Sequence, residues 1–329
     1  MRKLLKILNR FILFILTLFV LVSLIFIRPN IAKAKLEEDY FLDSSNYIDV
    51  TIKDLNDEDI TTTIHYQDLG DTINPVVVLL HGTFSSSHTF KIWADELIKE
   101  GYRVIMPDLP YFGLSEGFED NITSYRRSSE VLKYILDELS INNIHIAGNS
   151  LGGAISWYFT SEYQSMVNSL TLIDSVYPID SENSDFFLNR IKKYSFFSEL
   201  TSLYTPKFLL KNILESAYGN PDNITDETIT RYYELLRKPG TRQALLKNTQ
   251  ETESIDSYIN RIETITIPTF IIWGQIDSWI SVETVSLFEE SMNIPEDNIY
   301  IYNELGHVPM EEDPETTIQD YLTILNSIN

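Results

Sequence analysis

Two hydrophobic patterns divide the chain. The first is an apolar run from Phe11 to Ile27, broken only by Thr17 and Ser23 and preceded by Arg2, Lys3, Lys6 and Arg10. It is apolar all round, so it does not suit a helix that lays one stripe on a soluble core. Its length fits a membrane-spanning helix or the core of an export signal. Ala32-Lys33-Ala34 matches a small-x-small cleavage site, whereas the length of the run and the Arg28-Pro29 that follows match a retained anchor. Either way, the basic flank is expected in the cytoplasm and the body exported. Residues 1–34 are therefore read as an N-terminal anchor or signal segment, and the charged stretch 35–59 as a linker.

The second pattern alternates short apolar runs with segments of helical period. Thr61 to Tyr66 is β-branched and alternating, and Val76-Val77-Val78-Leu79-Leu80 reads as a strand buried on both faces. A helix is predicted over Phe90 to Glu100, a strand over Tyr102 to Met106, a helix over Ser124 to Leu139 and strands at Ile144 and at Leu170 to Ile173. Such alternation predicts a mostly parallel sheet with helices on both faces. From Val176 to about Asn248 the strands stop and aromatic helical stretches take over. Alternation returns with Phe270 to Trp273, a helix over Ser281 to Met292, a strand at Asn298 to Tyr302 and a last helix after Pro314. The predicted layout is a first core half at 60–175, a helical cap at 176–250 and a second core half at 251–329.

Charge sharpens this picture. Six of the 25 basic residues precede residue 35 and no acidic residue does, so the body sets 19 basic against 48 acidic residues. A surface that acidic repels phosphate backbones, which excludes nucleic acid as a partner. The chain has no Cys, so thiolate nucleophiles, disulfides and Cys-bound zinc are excluded as well.

The candidate chemistry centres on Gly148-Asn149-Ser150-Leu151-Gly152-Gly153, a Gly-x-Ser-x-Gly turn between an apolar run and a helix-compatible segment. A Ser hydroxyl attacks carbonyl carbon at neutral pH only if a base takes its proton and a third group orients that base. Of the five histidines, His145 and His65 fall in strands, His81 in a turn it is expected to support, and His88 in a loop expected to be exposed. His307 follows a late strand, at the sheet edge where ligands of α/β folds bind. Asp277, after the Phe270 to Trp273 strand, is the chosen acid, with Asp174 at the end of the preceding strand as its competitor. The order Ser, Asp, His suits a sheet of this kind.

Four separated motifs together resemble the α/β-hydrolase superfamily, in its cap-bearing branch, over residues 61–329. They are His81-Gly82-Thr83-Phe84, Asp108-Leu109-Pro110-Tyr111-Phe112-Gly113-Leu114-Ser115, the turn around Ser150, and Gly274-Gln275-Ile276-Asp277 with Gly306-His307. The resemblance implies Ser150 as nucleophile, His307 as base, Asp277 as its partner, and an oxyanion hole from the backbone N–H groups of Thr83 and Leu151. Tyr111 departs from the family pattern, where Gly is common, and is expected to reshape the pocket mouth. Ser at the elbow argues against dehalogenase and epoxide hydrolase chemistry, which uses Asp there. Hydrolysis of a carboxylic ester, a lipid or acylglycerol among the candidates, is the leading expectation, with no metal or organic cofactor needed. Carbon–carbon hydrolysis, perhydrolysis, peptide cleavage and acyl transfer run on the same triad. A ligand-binding protein without turnover, or a cap that docks a partner, are the readings outside enzymology.

Overall fold

The computed structural model describes residues 2–179, 205–247, 249–250 and 253–328. Among the described residues eight strands form the main sheet, in the spatial order β1 (Ser45–Lys53), β2 (Asp59–Leu69), β4 (Arg103–Pro107), β3 (Val76–Leu80), β6 (Ile144–Asn149), β7 (Val167–Ile173), β9 (Thr269–Gly274) and β10 (Ile299–Tyr302). β1 and β2 run antiparallel to their neighbours, and the remaining pairs are parallel. A second, two-stranded sheet joins β5 (Ile122–Thr123) to β8 (Thr249–Gln250).

The central strands are buried along their whole length, as their unbroken apolar runs require. Helices cover both faces. Val131 and Ile135 of α4 (Tyr125–Glu138), Ala154 and Trp157 of α5 (Leu151–Glu162), Ile262 of α9 (Ile255–Glu263) and Phe288 of α10 (Thr284–Met292) pack on one side. Trp93 and Leu97 of α3 (Lys91–Lys99) and Ile318, Tyr321 and Leu325 of α12 (Pro314–Ile328) pack on the other. Ser124 caps α4, its side chain accepting from the Arg127 N–H. The described part of the expected cap holds α6 (Lys207–Ala217), α7 (Asp226–Leu236) and α8 (Thr241–Lys247). Its first part, 180–204, lies outside the described residues.

The stretch 35–59 is not a linker. Residues Lys33–Tyr40 form α2, and Ser45–Lys53 pair with β2 along nine residues as the sheet's edge. The charges disguised an alternating pattern in which Val50 and Ile52 point inward while Asp49, Thr51 and Lys53 face water. Leu36 of α2 is buried against Leu114 and Leu235, so this segment straps the core to cap helix α7. The strap continues upstream, where the Ile31 N–H donates to the Arg237 carbonyl at 2.9 Å and the Arg237 guanidinium donates to the Pro29 carbonyl. Before it, Arg2–Phe26 form one helix, α1, whose described apolar side chains, among them Phe11, Phe14 and Phe19, are exposed. Among the described residues no helix is long and apolar enough to cross a membrane.

Candidate active site

Ser150 sits between β6 and α5 with φ 55° and ψ −116°, a backbone region that costs an ordinary residue about 1–3 kcal/mol. The packing that enforces it is visible at two glycines. A Cβ on Gly152 would meet the Leu80 carbonyl oxygen at 2.1 Å, so α5 can start this close to β3 only without a side chain there. A Cβ on Gly82 would meet Asn149 Oδ1 at 2.8 Å and Ser150 Cβ at 3.0 Å, so the loop after β3 passes directly against the elbow. That approach sets Thr83 beside Ser150 in the wall of one cavity. Leu151 opens α5, where an N–H has no carbonyl one turn back to bond.

His307 shares the wall of that cavity with Ser150. Its Nδ1 lies 2.7 Å from Asp277 Oδ2, and both side chains are buried. The other Asp277 oxygen accepts from the N–H groups of Trp279 at 2.7 Å and Ile280 at 3.1 Å, which fixes the carboxylate in the turn after β9. A carboxylate only accepts, so Nδ1 carries the proton and Nε2 of the neutral ring is the free acceptor. Among the described residues Nε2 is buried with no hydrogen-bond partner. The Trp279 ring lies over the imidazole, with centroids 4.9 Å apart.

Several supporting residues escaped the sequence reading. Asn149 Nδ2 donates to the His307 carbonyl at 2.9 Å, tying the elbow to the histidine loop. The cap holds the same loop: the His307 N–H donates to the Ala217 carbonyl at 2.6 Å, and Gly306 packs against Ala217 and Gly219. Glu312, in α11 (Pro309–Glu312), accepts from the N–H groups of Gly219 at 2.7 Å and Gly306 at 2.8 Å. Its neighbour Glu311 pairs with Arg231 and accepts from Tyr218 Oη at 2.9 Å and Tyr232 Oη at 3.0 Å. Glu311 and Glu312 lie four and five residues after His307, and nothing in the sequence alone marks them as supports of its loop. Burial raises the Glu312 carboxyl above its usual range, against the pull of those backbone N–H donors.

The other histidines are structural. His65 bridges Asp108 at 2.7 Å and Ser45 at 2.8 Å, His145 meets Ser169, and His81 Nε2 accepts from the Leu109 N–H. His88 corrects its expected exposure: it is mostly buried, edge-on to Tyr40, and burial lowers its pKa to about 4. Tyr111 corrects another expectation. It takes φ 76°, where Gly would sit without strain, but its ring packs over Gly117 and its hydroxyl donates to the Phe118 carbonyl at 3.0 Å. It is thus turned into its own loop and is not among the residues lining the cavity.

Oxygens of Asp174 and Asp277 and a ring nitrogen of His307 lie within 4.8 Å of one another. A cation held there would have to break the 2.7 Å bond between Asp277 and His307, which makes these donors a poor metal set. The arrangement suits proton transfer from a hydroxyl in the cavity to Nε2.

Comparison with known proteins identifies the fold family. The family model for the α/β hydrolase fold matches residues 75–314. Lipase 3 of Moraxella sp. (strain TA144) is 30% identical over 266 residues, covering 74% of this chain and 75% of the lipase. A 2-hydroxy-6-oxononadienedioate/2-hydroxy-6-oxononatrienedioate hydrolase of Pseudomonas sp. is 26% identical over 272 residues, covering 80% of this chain and 90% of that enzyme. The crystal structure of a membrane phospholipase A shares the fold with a TM-score of 0.68 at 21% identity, covering 100% of this chain and 99% of the other. With the family model spanning most of the chain and a relative this close, the protein belongs to the α/β hydrolase fold family.

Proposed function

We propose that the protein is a serine hydrolase that cleaves a carboxylic ester through an acyl-enzyme on Ser150. The observation that carries this reading is the buried bond between His307 and Asp277 in the cavity whose wall also holds the strained Ser150. His307 Nε2 takes the Ser150 proton as the oxygen attacks the carbonyl carbon, and Asp277 stabilises the imidazolium. The N–H groups of Thr83 and Leu151 receive the developing oxyanion, each worth about 3–4 kcal/mol in reactions of this type. His307 then returns the proton to the leaving alcohol and activates the water that frees the acid.

A neutral acyl group fits the cavity better than a dicarboxylate. Its described lining includes Phe84, Leu214, Tyr218, Tyr232, Trp279 and Val308, with no Lys or Arg. A dioate like that in the name of the Pseudomonas relative's substrate would bring charge with no cation among the described lining residues to meet it. Named lipases among the relatives support an ester. The apolar run within residues 1–34 supports a body held at a membrane on the exported side.

The test is hydrolysis of p-nitrophenyl esters of graded acyl length by the full chain, with a fluorophosphonate probe. Hydrolysis should fall about 10⁴-fold or more in Ser150→Ala, and the probe should label Ser150 alone. A folded protein that neither reacts nor turns over would end the proposal. Mass spectrometry of the mature N-terminus from a membrane fraction tests the tether: a chain starting at Lys35 would end it.

A further inference from the structure

Asp174 stands at the end of β7, fully buried, with φ 41°. One carboxyl oxygen accepts the Gly274 N–H at 3.0 Å. The other is buried and has no hydrogen-bond partner among the described residues. The reading of the triad gives this residue no task, yet it lies within 4.8 Å of both Asp277 and His307. A buried carboxylate normally satisfies its lone pairs or gains a proton.

The groups facing it are Asp277, Glu312 and the His307 imidazole. Asp277 already spends its charge on His307 and two backbone N–H groups. A second charge beside it in a buried site would face like charge and lack a cation of its own among the described residues, and two such carboxyls do not ionise together. We propose that Asp174 is a positioning residue that stays protonated at neutral pH and directs its hydroxyl to the Asp277 carboxylate. It thereby keeps one negative charge, and not two, behind the catalytic imidazole. Burial first, and then the Asp277 charge, push its proton affinity well above that of an ordinary Asp. This inference rests on the triad reading above.

Asp174→Asn preserves this neutral donor, since its carbonyl can take the Gly274 N–H and its amide can face Asp277. Infrared difference spectra of the full chain at pH 7, wild type minus Asp174→Asn, should contain the C=O stretch of a protonated carboxylic acid. The pH–rate profile for ester hydrolysis should keep its acid limb within about half a unit in the Asn variant. An ionised Asp174 would instead give no such band, and its replacement by Asn would move the acid limb down by roughly two units, from a charge lost within 4.8 Å. Asp174→Ala should lower kcat roughly 10- to 100-fold with little change in KM, and Asn should restore it. The inference is overturned by a missing infrared band, by an acid limb displaced in the Asn variant, or by an Ala variant as active as wild type. Because the infrared band needs no turnover, a wild-type protein without esterase activity would sink the proposed function while the spectrum still judged Asp174.

Discussion

Asp277→Asn is the sharpest test of the site, because hydrogen-bond accounting alone dictates its result. Asp277 receives three donors: the N–H groups of Trp279 and Ile280 on one oxygen and His307 Nδ1 on the other. Asn offers one acceptor oxygen and one donor group. If the oxygen stays with the two backbone N–H groups, the amide confronts Nδ1 with a donor, and the imidazole must move its proton to Nε2. That tautomer cannot accept a proton from Ser150. The opposite amide orientation keeps the imidazole correct but sets the amide N–H against two buried N–H groups, at about 1–3 kcal/mol for each one left unpaired. The productive state is therefore suppressed by about 2–6 kcal/mol, or roughly 30-fold to 10⁴-fold in kcat. The assay is steady-state hydrolysis of a p-nitrophenyl ester, read as kcat and KM separately, with the rate of fluorophosphonate labelling as a second measure. A loss under about tenfold, or one confined to KM, would refute the reasoning. The same Asp-to-Asn exchange at residue 174, at the next strand end, is expected to leave turnover nearly intact.

Further outcomes follow from packing and burial. Gly152→Ala places a methyl group 2.1 Å from the Leu80 carbonyl and should destabilise by at least about 1–3 kcal/mol, visible as a lower Tm with activity lost in parallel. Leu36→Ala empties the contact between α2, Leu114 and Leu235 and should cost about 2–5 kcal/mol in urea unfolding; a linker residue would cost nothing. Lys238 is buried, and burial, with a smaller push from Lys33 against Asp108 and Glu116, lowers its pKa to about 8. The unfolded chain keeps that proton to near its ordinary pKa of 10.5, so this group makes stability rise with pH between about 8 and 10.5. Lys238→Met should accordingly stabilise at pH 7 by up to about 3 kcal/mol, a gain that urea midpoints should show shrinking towards pH 10.

The sheet and the turn around Ser150 are legible because their signals are local and strong. Val76 to Leu80 could only be a buried strand, and Gly148 to Gly153 marks a turn by what it omits. His307 and Asp277 were found by position at strand ends, a rule about topology that needs no distance. Other parts were not legible. Val50 and Ile52 alternate correctly, but they sit among Asp49, Lys53, Asp54 and Asp57, and charge density hid an edge strand that only pairing with β2 reveals. Glu311 and Glu312 carry no mark in the sequence because Arg231 and the Gly219 amide, which they bind, come from the distant cap. Asp174 was noticed, but only as a rival to Asp277. That both acids meet behind one imidazole is a fact of three dimensions.

The bond from His307 to the Ala217 carbonyl has an implication for engineering. Since the His307 loop is hung partly from the end of α6, a chimera that exchanges the cap at the borders of the insertion would also exchange a support of the proposed base. Donor segments should therefore be grafted with residues 217–219 and 304–307 kept as a matched pair. Libraries that vary substrate preference would do better to diversify positions such as Leu214 and Tyr232 and leave that seam alone.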